Sequence, residues 1–240
     1  MLVKNWMCRE VITIDVNESM QRAGKLMKEH GVGRLPVMKK GDLAGMVTDR
    51  DLKRASASDA STLEIHELLY LVSTIKLGEI MTKDPITVPP DYTLEETAEI
   101  LLNNKISGVP VVEENGKMVG IITQTDLFRA MVSFTGVGKR GIQFGFLLED
   151  RPGSIKEVAD IIREFGGRML SILSTYQRAP KGYRRVYIRM YGIDRMRLAM
   201  LKDDLNAKAI LLYVIDHQEN KREIFENSYR EFRQKTVANY

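Results

Sequence analysis

Cysteine is nearly missing: Cys8 is the only one in 240 residues. A single thiol excludes an internal disulfide and a thiolate metal cluster within one chain. Histidine is almost as scarce, and His30, His66 and His217 follow no metal-ligand spacing. No apolar run reaches the ~18 residues of a membrane span. The start, MLVKNWMCREV, lacks the apolar centre of a secretory signal. The expectation is a cytoplasmic protein with no membrane partner. An excess of one charge is also missing, since 36 basic residues stand against 32 acidic. The charges are mixed and form no basic stripe, which argues against nucleic acid as a partner and leaves small anionic ligands compatible.

What the chain does have is apolar content and a repeat. The apolar fraction of 44% supports a real core. At about 100–200 residues per domain, this length fits one large domain or two smaller ones. Residues 45–55 read GMVTDRDLKRA and residues 120–130 read GIITQTDLFRA. Gly, Thr, Asp, Leu, Arg and Ala recur at the same places, and the Met46/Ile121 and Val47/Ile122 differences stay apolar. The match extends back to Met7 and Met81, giving repeats 7–55 and 81–130 with one insertion in the EENGK turn.

Each repeat reads strand, helix, strand, turn, strand, helix. Val11–Ile14 and Ile86–Val88 are short β-rich runs. Thr93-Leu-Glu-Glu96 is a capping box that starts a helix over Leu94–Asn104, with Leu94, Thr97, Ala98, Leu101 and Leu102 on one face. Met20, Ala23, Leu26 and Met27 form the matching face in repeat 1. Apolar strands at Leu35-Pro-Val-Met and Val109-Pro-Val-Val lead through Gly- and Asn-bearing turns to a second strand and to helices starting at Thr48 and Thr123. One such unit is too small to cover its own sheet, so two should pack together with pseudo-two-fold symmetry.

A doubled G-h-h-T-x-x-D-L line, each copy preceded by a G-x-x-PVh strand, resembles the CBS-domain pair, or Bateman module. The resemblance covers about 130 residues. It implies a mixed α/β (α+β) fold in which two CBS repeats pack as a pair over 1–133. It also implies a regulatory ligand, AMP, ATP or a related adenosine compound, in place of a cofactor.

The Thr and Asp residues admit two readings. Thr48-x-x-Asp51 and Thr123-x-x-Asp126 are helix starts in which the side chains satisfy free N–H groups, a contribution of about 1–2 kcal/mol. The same geometry lets a carboxylate accept hydrogen bonds from a vicinal diol, with N–H groups nearby for an anion. The resemblance assigns the Asp to ribose and completes each site from the other repeat. Carried over, one site combines Thr48 and Asp51 with Ile86, Thr87, Ile106 and Ser107. The other combines Thr123 and Asp126 with Ile12, Thr13, Val32 and Gly33. Repeat 1 carries Arg34 where repeat 2 carries Gly108. A guanidinium there can grip a phosphate, so the Asp51 site is expected to prefer a phosphorylated ligand. Arg54 and Arg129 read as helix-surface positions.

Between the repeats, a polar loop precedes a helical insert over 61–78, started by a capping box at Ser61-Thr-Leu-Glu64. His66 and Glu67 read as surface positions. The overall layout is similar to the acetoin-utilisation B proteins. Residues 134–141, FTGVGKRG, read as a linker, and their GxGxxG-like spacing lacks a preceding βαβ unit. From 142 to 216 the order becomes β-α-β-β-α-β, the ferredoxin-like layout. The expected strands are Gln143–Leu148, Met169–Gln177, Arg184–Gly192 and Ala209–Ile215, with helices at Ile155–Phe165 and Arg195–Leu205.

The F-x-x-D-R-P-G-S-I start resembles an ACT domain. That resemblance implies amino-acid binding by Asp150, Gly153, Ser154 and Ile155, although Pro152, Gly153 and Ser154 equally well make a turn and a cap. The tail, 217–240, is expected to be an amphipathic helix with Ile224, Phe225, Tyr229 and Phe232 in one stripe.

The combined reading is a non-catalytic, homodimeric or higher-order sensor that acts on an unknown protein target. A ligand-free interaction module is the alternative. An enzyme of acetoin metabolism is a further one, although the sequence offers no nucleophile with a base and no metal set.

Overall fold

The structure, a computed structural model, describes residues 1–59 and 73–225. The chain divides into two compact units, Met1–Phe128 and Arg129–Tyr240.

In the first unit both repeats fold alike. Repeat 1 contains β1 (Ile14–Asp15), α1 (Met20–His30), β2 (Arg34–Lys39), β3 (Asp42–Thr48) and α2 (Asp49–Asp59). A single helical turn, Leu77–Ile80, leads to β4 (Thr82–Lys83). Repeat 2 continues with α3 (Leu94–Asn103), β5 (Gly108–Val112), β6 (Met118–Thr123) and α4 (Gln124–Phe134). Caps set the helix ends. The Ser19 hydroxyl accepts from the Arg22 N–H, and Gly31 closes α1 in the left-handed region at φ 62°. The Thr93–Glu96 capping box forms as the sequence predicts. The predicted strands shrink at their starts: β1 is two residues long, and repeat 2 has a single bridge, Val88 to Val111.

The two repeats exchange their leading segments. β4 opens repeat 2 yet pairs with β3 of repeat 1, with Gly45 opposite Lys83 and Met46 opposite Thr82. Cys8, at the start of repeat 1, bridges Ile121 of β6 in repeat 2 through two backbone bonds of 2.9 and 3.0 Å. The approach is close enough to demand glycine. A Cβ on Gly45 would lie 2.6 Å from Met81 Sδ and 2.7 Å from the Thr82 carbonyl. On Gly120 it would lie 2.6 Å from Met7 Sδ and 2.9 Å from the Cys8 carbonyl. Met7 and Met81, equivalent in the sequence, are therefore equivalent in contact. Ile14, Ala23, Met27, Leu35, Val37, Val47 and Leu77 make a buried core around repeat 1.

The second unit contains β7 (Ile142–Glu149), α5 (Ser154–Glu164), β8 (Arg168–Thr175), β9 (Tyr183–Tyr191), α6 (Leu198–Lys208), β10 (Ile210–Asp216) and β11 (Lys221–Ile224). The sheet runs β11-β10-β7-β9-β8, antiparallel throughout. Its first four strands and two helices make the predicted βαββαβ order. Period-2 alternation sends Phe144, Phe146 and Leu148 of β7 and Val186, Ile188 and Met190 of β9 to one face. Val158 and Ile162 of α5 and Leu201 and Leu205 of α6 cover that face.

Two expectations change here. The tail does not begin as a helix: Lys221–Ile224 is an edge strand on β10. The open edge of β10 offers a ladder, and a turn returns the chain to it. In that turn the Gln218 and Glu219 N–H groups bond to Asp216 Oδ1, and Asn220 takes φ 52°. A tertiary ladder thus overrides a helical pattern. Tyr229 and Phe232 lie outside the described residues, as does most of the 61–78 insert with Ser61, Glu64, His66 and Glu67. The second change is at 134–141, which is packed. Ser171 Oγ donates to the Thr135 carbonyl at 3.1 Å, and Gly136 lies against Leu170.

Asp216 anchors the turn and is 4% exposed. Burial pushes its carboxyl up, but Arg195 and the Glu219 and Gln218 N–H groups outweigh that and hold it below the ordinary carboxylate value. A folded-state pKa below the unfolded one adds stability above the unfolded value, and that stability is lost as pH falls through the folded value. Asp216→Asn is therefore expected to destabilise the protein by about 2 kcal/mol at pH 7. In urea unfolding, the gap to the parent should shrink below about pH 4.

Candidate functional site

Each repeat ends its second inner strand at a threonine and enters a helix at once. Thr48 donates from its N–H and its hydroxyl to Asp51 Oδ2, at 2.9 and 2.7 Å, and the Asp51 N–H returns to Thr48 Oγ1 at 3.3 Å. Repeat 2 reproduces this with Thr123 and Asp126 at 2.9, 2.6 and 3.4 Å. Both pairs are thus reciprocal helix caps. Asp51 Oδ1 accepts from Arg54 Nη2 at 3.1 Å. Arg54 is therefore a partner of Asp51 and does more than solvate the helix surface. Its side chain is 77% exposed, and an ion pair so exposed contributes less than about 1 kcal/mol. A vicinal diol can displace it from Oδ1 while Oδ2 stays held.

The residues before each proline are fixed to the helix start of their own repeat. The Asp49 N–H donates to the Gly33 carbonyl, and the Gln124 N–H to the Ser107 carbonyl, both at 3.1 Å. Gln124 Nε2 also reaches the Ile106 carbonyl at 3.4 Å. Val32 closes the end of α1 through its N–H to the Met27 carbonyl. Ile12 and Thr13 lead into β1, while Ile86 and Thr87 lead into the Val88 bridge. Thr13, Gly33, Ile86, Thr87 and Ser107 are exposed, and Ile12, Val32 and Ile106 are half-buried.

Arg34 crosses between the repeats. It sits opposite Thr48 in the β2–β3 ladder, and its Nη2 donates to Ser107 Oγ at 2.6 Å. Its path depends on Gly108, where a Cβ would stand 2.2 Å from Nη1. The Arg34/Gly108 difference between the repeats is thus one contact seen from its two ends. Burial lowers the Arg34 pKa, and Asp49 and Asp126 oppose that shift. Arg34 thus lies in the field of a carboxylate from each repeat, Asp49 and Asp126. The side chain stays charged and keeps donors for an anion.

In the second unit, Gly153 begins α5 at φ 87° without a side-chain cap. Ser154 is buried, and its hydroxyl accepts from Arg184 Nη2 at 3.2 Å. Asp150 Oδ1 accepts from the Tyr176 hydroxyl at 3.3 Å and pairs with Arg184 Nε at 3.8 Å. Ile155 packs on the core. Sequence reasoning missed Tyr176, just past the end of β8, and Arg184 of β9, which the fold brings in. Among the described residues no His, Cys, Asp and Glu group is arranged for a metal ion, and no helix is long and apolar enough to cross a membrane.

The family model described as CBS domain matches residues 3–58 and 77–133. The chain is 32% identical over 128 residues to the CBS domain-containing protein YhcV of Bacillus subtilis, covering 52% of this chain and 81% of that protein. It is 36% identical over 125 residues to an inosine-5'-monophosphate dehydrogenase of Korarchaeum cryptofilum, covering 52% of this chain and 23% of the enzyme. Among solved structures, the chain is similar to the CBS domain pair of protein MJ0100 in complex with 5'-methylthioadenosine and S-adenosyl-L-methionine. The sequence identity is 30% and the TM-score 0.48, over 55% of this chain and 96% of that one.

Proposed function

This chain belongs to the CBS-domain proteins, and we propose that it is a non-catalytic sensor whose paired repeats bind a phosphorylated adenosine compound such as AMP or ATP. One observation carries the reading: Arg34 reaches across the repeats through the gap that Gly108 leaves, among the Thr/Asp helix starts. A cationic fork beside a carboxylate with one exchangeable oxygen suits a phosphate joined to a ribose. In this reading Asp51 takes the ribose hydroxyls in place of Arg54, Ser107 releases Arg34 to the phosphate, and Ile86, Thr87 and Ile106 line the same cleft. Thr123 and Asp126, with Ile12, Thr13, Val32 and Gly33, form the second site, for a less charged ligand.

Calorimetric titration with AMP, ATP and S-adenosylmethionine tests this. Asp51→Ala is expected to weaken the best ligand by about tenfold, or about 1.4 kcal/mol. An unchanged affinity in a folded variant removes the ribose role.

The second unit extends the proposal. Its βαββαβ order and its D-R-P-G-S turn resemble an ACT domain, and amino-acid sensing by Asp150, Gly153, Ser154 and Ile155 fits. Both ligands would then bias one conformational equilibrium, each altering the affinity for the other by the same factor. Asp150 is engaged by Tyr176 and Arg184, so an incoming amine has to displace them. A panel of amino acids in the same calorimeter decides this: heat from none of them removes the amino-acid role.

The completed Thr–Asp caps favour a second reading, an interaction module that holds no ligand. A thermal-shift screen separates the two, since a true ligand raises the melting temperature by mass action.

A further inference from the structure

The face of the second unit's sheet that turns away from the helices holds a charge that no carboxylate balances among the described residues. Arg189 of β9 is 5% exposed, and its Nε and Nη1 are enclosed without a hydrogen-bond partner. Its Nη2 donates to Gln143 Oε1 at 2.7 Å. Gln143 Nε2 in turn donates to the Tyr213 hydroxyl oxygen at 3.2 Å, which leaves the phenol proton free to donate. Among the described residues no carboxylate pairs with Arg189. Asp216, a buried acid of the same unit, is committed to Arg195 and to the Gln218 and Glu219 N–H groups. His217 follows it, and its Nε2 is likewise buried without a partner. Burial lowers the His217 pKa, with Arg189 and Arg222 adding to the shift and Asp216 opposing it.

A loop lies over this cluster. Ser171 stands opposite Arg189 in the β8–β9 ladder and donates its hydroxyl to the Thr135 carbonyl. The Cβ position of Gly136 is 3.7 Å from Arg189 Cδ. Gly136 and Arg140 take left-handed φ of 64° and 44° around a short 3-10 turn, Val137–Lys139. The loop ends at Gly141, whose carbonyl accepts from the His217 N–H at 3.2 Å. This is the GxGxxG-like stretch that the fold of the first unit does not use.

An enclosed guanidinium with unmet donors is costly and calls for an acceptor. We propose that the second unit binds a small oxyanion, the phosphate or carboxylate group of a small molecule, against Arg189 beneath the 135–140 loop. Arg189 supplies the charge, Gln143 positions it, and the Tyr213 hydroxyl and His217 Nε2 supply further hydrogen bonds. The occupant is small because the free nitrogens are enclosed, beyond the reach of an acidic surface on another macromolecule. The site is independent of the paired repeats.

The test uses the full chain carrying Arg34→Met, so that the first unit contributes no phosphate response. Thermal unfolding is followed in sodium phosphate, sodium acetate or sodium chloride at matched ionic strength. A saturable rise of several degrees is expected with phosphate or with acetate, and the better of the two names the ligand class. Adding Arg189→Met should abolish the saturable rise. In chloride, that variant should unfold at or above the parent temperature, because an unbalanced buried charge has gone. Equal responses in parent and variant, no saturable rise with either anion, or a folded variant that melts below the parent in chloride each overturn the proposal. Should Arg189→Met not fold, amide exchange at 135–141 in the parent decides. Phosphate or acetate is expected to slow exchange about tenfold, and no slowing overturns the site.

Discussion

Replacing Arg34 by alanine is expected to weaken AMP binding about thirtyfold while leaving adenosine within about twofold. A charge-assisted hydrogen bond to phosphate contributes about 1.5–3 kcal/mol, and adenosine offers no phosphate to receive it. The contrast between the two ligands matters more than either value. Equal losses would mean that Arg34 props the cleft open through Ser107 and does not touch the ligand. Gly108→Ala supplies a check without deleting the charge. Its Cβ would fall 2.2 Å from Arg34 Nη1, so the guanidinium must move. Part of the AMP loss should then appear, with adenosine again little affected. Calorimetry on folded variants reads both.

Gly45→Val and Gly120→Val are each expected to destabilise the protein by about 3 kcal/mol, measured by urea unfolding. At each position the added Cβ meets a methionine sulphur, which can swing aside, and a strand carbonyl, which cannot move without breaking the ladder. The carbonyls belong to Thr82 and Cys8, which lead into the opposite repeats. Similar losses at both glycines would report the pseudo-two-fold exchange from its two sides. Gly138→Ala is the control, since its Cβ would meet nothing within 4 Å. It should shift stability by less than about 0.5 kcal/mol. If Gly45→Val behaved like that control, the leading segments would not pair across the repeats.

Much of this was legible from residues close together in the chain. The Thr93–Glu96 box, the Thr48–Asp51 and Thr123–Asp126 starts and the β7–β10 alternation depend on spacings of two, three or four residues. Local backbone geometry turns such spacings directly into contacts. The duplication itself implied paired packing. Other features were not legible. Arg34 and Gly108 were seen to differ between the repeats, but the Arg34–Ser107 bond that runs past Gly108 spans 73 residues and needed the fold to reveal it. Arg54 looked like surface until its guanidinium was found on Asp51. Lys221–Ile224 carried a helical pattern and became a strand because β10 had an open edge.

By itself, then, the sequence determined the repeat, the helix caps, the alternating strands and the residues of the Thr–Asp pairs, all of them short-range consequences of backbone geometry and apolar periodicity. Tertiary structure alone decided which leading strand pairs with which repeat, where the Arg34 guanidinium ends, and that Arg189 is enclosed with no acid paired to it among the described residues. Those outcomes depend on burial and on neighbours distant in the chain, and no local spacing records what the folded surface shuts away from water.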